Sequence, residues 1–331
     1  MDIDRFLVTN EPLWNRLGEL TARARRGVGR LSAAELDELV RLYQRTSTHL
    51  SYVRTYYGDP ALTLTLTGLV ASAGSVVYGT RPRTLRAIGR FFTVTFPAAL
   101  WDTRRFIAVS TALFVVPALA IGIWLANSSR AIDAVGPEAL REAYVSREFE
   151  EYYTSAPATQ FASQVFTNNA QVGFLAFALG PLTLGVGTAA VLALNAANLG
   201  VAGGLFAAAG QQPKFWGLIL PHGLLELTAV FVAGGAGLRM GWTIVAPGDR
   251  RRTEALAEDG RRAFVVALGL VAVFFAAGLI EGFVTGSPLP TWFRVGIGVG
   301  AEVTFLSYAV VLGRNAAAAG YTGRLDETAR R

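Results

Sequence analysis

Two patterns of polar and apolar positions divide the chain. Up to about residue 105, apolar residues recur at helical spacing among frequent charges. Beyond it, long apolar runs alternate with polar connections. In the first part, Leu31-Ser32-Ala33-Ala34-Glu35 matches a capping box, with Ser32 as N-cap and Glu35 at the third helical position. Leu36, Leu39, Val40 and Tyr43 then follow at helical spacing. A further helix is expected from Pro60 to near Gly79. Thr63, Thr65, Thr67, Ser72 and Ser75 make it polar enough to pack in a soluble bundle. The stretch Arg83–Arg105 mixes Arg83, Arg86, Arg90, Arg104 and Arg105 with Phe91, Phe92, Phe96 and Trp101. That mixture suits either a helix lying on an anionic membrane surface or a core face of the soluble bundle.

From Phe106 to Leu125 the chain carries no charge, a run long enough to cross a hydrocarbon core. Similar runs lie at Val172–Leu194, Ala196–Gly210, Phe215–Leu238, Ala263–Val284 and Phe293–Gly313, which makes six expected spans. The third is short and carries Gly200, Gly203 and Gly204, so it is compatible with a re-entrant pair. The expected organisation is therefore all-α: a cytoplasmic helical domain over 1–105, a transmembrane bundle over 106–314 and a cytoplasmic tail over 315–331. Glycines spaced i, i+4 (Gly200 and Gly204, Gly237 and Gly241, Gly278 and Gly282, Gly296 and Gly300) are expected to let helices approach closely within the chain.

Composition narrows the classes. Hydrophobic residues make up 52% of the 331 and charged residues 16%, well below the share in soluble globules. A net charge of +6 is too small to suggest a nucleic-acid partner. The absence of cysteine excludes disulfides, thiolate metal sites and a thiol nucleophile, and two histidines exclude a His-rich metal cage. No P-loop, GxSxG, dinucleotide fingerprint or HExxH occurs, so no cofactor is expected and catalysis is not favoured. Met1–Asn10, with two Asp and no apolar core, does not read as a secretory signal.

The charge distribution predicts orientation. Residues 1–105 hold 15 Arg and 9 acids, and 239–262 hold six Arg and four acids, whereas 126–170 hold three Arg and six acids. With six spans, both termini and the 239–262 loop fall inside and the acidic loop outside, as the positive-inside rule asks. The chain is thus expected in a bacterial inner membrane.

Polar groups inside apolar runs are the candidate site, because burying them unpaired is costly. His222 and Glu226 are spaced i, i+4 on one helix face, in a span expected to start at Pro221. Glu281 sits near the end of the fifth span, Glu302 in the sixth, and Asn168 and Asn169 ahead of the second; all fall in the outer half. Asn195 falls at the inner end. Three readings stay open: a buried hydrogen-bonded network, an outward-facing ligand or ion site, and a metal site at His222, Glu226 and Glu281. One His is thin for a zinc hydrolase. His49 reads as a surface or core residue of the helical domain.

An ordered series of segments resembles the stage II sporulation protein M family of bacterial integral membrane proteins. It runs from Trp14 and LSAAELDELVRLYQRTSTHLSYVR, through Asn168 and Asn169, GFLAFALG, GVGT and Asn195, to PHGLLELTAVFVAGGAGLRMGW. Pro247-Gly248, EAL, GR and GLIEGFVTGSPLP complete it. The resemblance implies a membrane anchor for complexes with peptidoglycan-cleaving proteins, and it assigns no catalytic residue. The family's NN and PHGxxE residues fall on Asn168, Asn169, Pro221, His222, Gly223 and Glu226, with no role attached. Relatives often carry an Asn and a His after the position of Pro60, where this chain reads LTLTLTGLVASAGSVVYG. Twenty-nine Arg against one Lys fit a GC-rich bacterial genome. The expected function is a membrane scaffold for cell-envelope complexes. The alternative is a transporter or channel-like protein with an outward-facing site around His222, Glu226 and Glu281.

Overall fold

The structure is a computed structural model, and it describes residues 3–78, 84–149 and 158–325. The chain forms two compact units, Met1–Arg86 and Ala87–Arg331. This division by contacts falls after Arg86, whereas the sequence pattern changes near 105.

In the first unit, α1 (Ile3–Arg25), α2 (Ala33–Tyr52) and α3 (Pro60–Val77) pack pairwise on one another. Both bonds of the Ser32–Glu35 capping box form. Helix α2 ends in a π turn, Val53–Tyr57, closed by left-handed Gly58, and the Asp59 side chain caps α3. Leu17, Leu20, Leu39 and Leu42 make one buried cluster; Phe6, Trp14, Leu50, Val53 and Leu66 make another.

A short helix over Thr84–Arg90 (α4) carries the chain from Arg86 of the first unit into the second, which continues through a π turn at Phe91–Thr95 into α5 (Phe96–Ala126). Arg104 and Arg105, expected in a separate basic helix, thus lie on the same rod as the first apolar run. Burial of Phe96 in the unit's core explains the attachment. Short helices α6 (Ser129–Val135) and α7 (Glu138–Ala143) follow, with a π turn at Tyr144–Glu148.

Next come α8 (Ala158–Leu182) and α9 (Val186–Ala208), which replace the spans expected at 172–194 and 196–210. Three residues, Thr183, Leu184 and Gly185, turn the chain. Leu184 and Gly185 both have positive φ, and the Thr183 hydroxyl accepts from the Gly187 N–H. Helix α9 is one continuous helix rather than a re-entrant pair. The bundle closes with α10 (Gln212–Val245), α11 (Arg252–Ile280, running into a π turn at Glu281–Thr285) and α12 (Thr291–Ala318).

Among the described residues, six helices are long and apolar enough to cross a membrane: 60–77, 87–126, 186–208, 212–245, 252–285 and 291–318. The first belongs to the N-terminal unit, where the sequence predicts a soluble helix. Helix α8 is not among the six, its middle being polar at Asn168, Asn169 and Gln171.

Helix α10 lies at the centre of the second unit, packed against α5, α8, α11 and α12, and it buries the most residues. Glycine sets the spacing. A Cβ on Gly180 would strike the backbone of Gly237, and one on Gly200 would lie 2.6 Å from the Ala118 carbonyl oxygen. Gly296 and Gly300 face open space instead. The outer faces are apolar: Val109, Leu113, Val116, Leu119 and Ile123 of α5 are exposed at helical spacing, as are Val299, Val303, Leu306 and Val310 of α12. Such surfaces suit lipid and would aggregate in water.

Candidate functional site

Among the described residues, clusters of charged and polar side chains interrupt this apolar unit toward each end of α10. The first is built on the start of α10 and the end of α11. Pro221, expected at a helix start, lies inside α10, which begins at Gln212. Pro221 has no N–H to offer the helix. At this level α12 approaches closely, because Gly298 packs on the carbonyls of Leu220 and Pro221. One residue later His222 points inward, 5% exposed. Glu226 follows one turn on, half-buried, and Glu281 comes from the π turn after α11, 4% exposed. Such π turns often occur at functional sites, because the inserted residue re-aims its neighbours.

The three groups converge. One ligand atom from each of His222, Glu226 and Glu281 lies within 4.8 Å of the other two. His222 Nδ1 is 3.1 Å from the Thr285 hydroxyl, which fixes the ring, and Nε2 is 3.7 Å from Glu281 Oε1. If the Thr285 hydroxyl donates to Nδ1, the ring proton sits on Nε2 and faces Glu281. If Nδ1–H donates to Thr285, Nε2 offers a lone pair. Glu281 Oε2 is buried without a hydrogen-bond partner, and Glu226 makes no hydrogen bond or ion pair among the described residues. The nearby guanidinium of Arg294 donates to the Thr285 carbonyl rather than to either carboxylate.

The remaining candidates lie apart from this group. Asn168 and Asn169 lie within α8 rather than ahead of it, and the Asn168 amide donates to its neighbour's side chain at 3.2 Å. Glu302 accepts from the Thr228 hydroxyl at 2.8 Å, linking α12 to α10 on another face. Asn195 donates to the Val191 carbonyl of its own helix.

The second polar group was not singled out from sequence. Near the end of α10, Arg239 contacts Asp259 Oδ1 at 3.0 Å and Asp102 Oδ2 at 2.8 Å. Arg262 pairs with the same two carboxylates and donates to the Thr322 carbonyl. Thr243 donates to Asp259 Oδ2, Arg250 joins Glu258 to Asp259, and Arg324 reaches Glu258. Asp259 is 2% exposed. Burial alone would expel such a charge, but three guanidiniums and a hydroxyl surround it. The sequence signals were available: Arg239 falls at the end of an apolar run, and Asp259 and Arg262 are spaced i, i+3. Read as loop charge, they set orientation only. Their pairing with Asp102 and Thr322 joins positions far apart in sequence.

Comparison with known families follows this division. The model described as stage II sporulation protein M matches residues 110–286, more than half of the chain and all of α8 to α11. A second, described as a domain of unknown function (DUF8413), matches residues 4–79, spanning nearly all of α1 to α3. An uncharacterized protein of Methanocaldococcus jannaschii is 29% identical over 123 residues, which cover 37% of this chain and 68% of its own. No solved structure matches the chain.

Proposed function

The chain belongs to the stage II sporulation protein M family and is a multi-pass membrane protein; from that premise we propose that it anchors cell-envelope protein complexes, including peptidoglycan-remodelling proteins, in a bacterial inner membrane. The observation that carries this reading is the match of the two family models to the two compact units. A membrane unit of one family is joined to a helical unit of another, as in a protein that tethers one assembly to a membrane. The orientation proposed with it places the Arg-rich end of α10 and both termini in the cytoplasm. That end collects Arg239, Arg250, Arg262 and Arg324, and the His222 group then lies toward the outer face.

Crosslinking in native membranes tests the anchor. Envelope proteins are expected to be recovered with the wild type and equally with His222→Ala, since the anchor role does not use the buried group. Repeated recovery of the chain alone would reject the reading. A second reading, a transporter or channel-like protein, is favoured by one observation: the spare acceptors on Glu226 and Glu281. It requires Glu226→Gln to abolish flux of a solute while the fold is kept, and unchanged flux would end it.

A further inference from the structure

His222, Glu226 and Glu281 are arranged with separations that hydrogen bonding does not explain. A hydrogen bond from imidazole to carboxylate spans roughly 2.7–3.2 Å. The observed 3.7 Å between His222 Nε2 and Glu281 Oε1 is too long for one. Two ligand atoms of one metal ion, each about 2.1 Å from it in tetrahedral geometry, lie about 3.4 Å apart. The His222–Glu281 pair is within a few tenths of an ångström of that spacing, and the three atoms, all within 4.8 Å of one another, need close by at most about 1.4 Å to share an ion.

Charge points the same way. Two carboxylates meet inside an apolar unit, and no arginine or lysine pairs with either among the described residues. Among the described residues Glu226 has no hydrogen-bond or ion-pair partner, and Glu281 Oε2 is buried and accepts nothing. This is an electron-rich pocket made of one imidazole and two carboxylates. Thr285, bonded to Nδ1, fixes the orientation of the ring, and its hydroxyl can accept from Nδ1–H in the tautomer that a metal bound at Nε2 requires, the usual task of a group behind a metal ligand. The π turn contributes both Glu281 and Thr285, so one local distortion supplies a ligand and the group that orients another.

We propose that His222, Glu226 and Glu281 hold one divalent cation of the mixed nitrogen–oxygen class, such as Zn2+, Fe2+ or Mn2+. Mixed imidazole and carboxylate donors suit these ions, and the lack of a thiolate disfavours softer ones. Three protein ligands leave at least one coordination position open. The site rests on this geometry alone and is independent of the anchor reading.

The test uses the full chain, purified in detergent, stripped with a chelator, reloaded with Zn2+ and dialysed. Metal analysis is expected to find about one equivalent, and Co2+ in its place to give a visible absorption spectrum of a low-symmetry site. Glu226→Gln and Glu281→Gln, each checked for fold by circular dichroism, are expected to weaken binding by at least about tenfold. Thr285→Val, which leaves all three ligands, is expected to weaken it about 10–100-fold. Should Glu281→Gln not fold, Glu226→Gln and Thr285→Val carry the test. Wild type that retains no zinc would overturn the proposal, as would zinc retained equally by the folded Glu226→Gln variant.

Discussion

The two polar groups of the membrane unit sit on the same central helix, about 25 Å apart from His222 to Arg239 by helical rise. They differ in balance. At the Arg239 end, two aspartates meet arginines at 2.8–3.0 Å, and Asp259 oxygens are shared among Arg239, Arg250, Arg262 and Thr243. At the His222 end, two carboxylates meet one imidazole, and acceptors are left over. A balanced buried network holds helices in register: it ties α5, α10, α11 and the C-terminal segment together. An unbalanced one stores no comparable cohesion, and its spare acceptors mark it as a place for something else to bind.

That contrast can be broken by substitution. The largest effect is expected from Asp259→Asn, which leaves Arg239 and Arg262 short of a buried counter-charge. Losing one member of such a network costs about 3–5 kcal/mol, read as a fall in the unfolding midpoint in detergent. Glu226→Gln should be far milder in metal-free protein, under about 1 kcal/mol, because no hydrogen bond is lost. Equal losses from the two would erase the distinction.

The two histidines give a smaller version of the same contrast. His49 Nδ1 accepts from the Trp14 indole N–H at 3.1 Å, and Phe6 packs edge-on against its ring. Burial first, and Arg45 second, hold its pKa below the ordinary value. The folded protein therefore favours the neutral ring. The stability it contributes is complete above the unfolded value of about 6.5 and is lost as pH falls through that value toward the folded one. An NMR titration of the His49 ring in the intact chain should show a midpoint below 6.5, and one above it would contradict the Trp14 bond. Least is expected of the surface pairs on α1 and α2. Arg16 with Glu38 is a partly exposed bridge, so Glu38→Ala should lower the unfolding midpoint only slightly and far less than Asp259→Asn.

Hydropathy in the sequence was enough to reveal the membrane unit, because runs of some twenty uncharged residues have few other uses. Helix ends were legible where a local device marks them, as at Ser32 and Pro60. They were not legible between α8 and α9, where apolar residues run through the break and the turn depends on Thr183, Leu184 and Gly185. Asn168 and Asn169 read as a boundary but lie within α8, because a helix that packs on neighbours can carry amides that bond to each other. Pro221 read as a start for a similar reason. His222 and Glu226 share a face through i, i+4 spacing, which periodicity shows. Their meeting with Glu281 is a contact between helices, and it needed the fold. Arg239 and Asp259 were hidden by the opposite fault: charges near a polar connection look solvated until the tertiary structure shows them buried.

The claim that one end of α10 binds and the other end braces is tested most directly by thermal unfolding of wild type, Glu226→Gln and Asp259→Asn, each with and without added Zn2+. The account predicts that Zn2+ raises the midpoint of wild type and of Asp259→Asn but not that of Glu226→Gln, and that only Asp259→Asn starts from a much lower midpoint. A zinc-induced rise in Glu226→Gln as large as in wild type would contradict it.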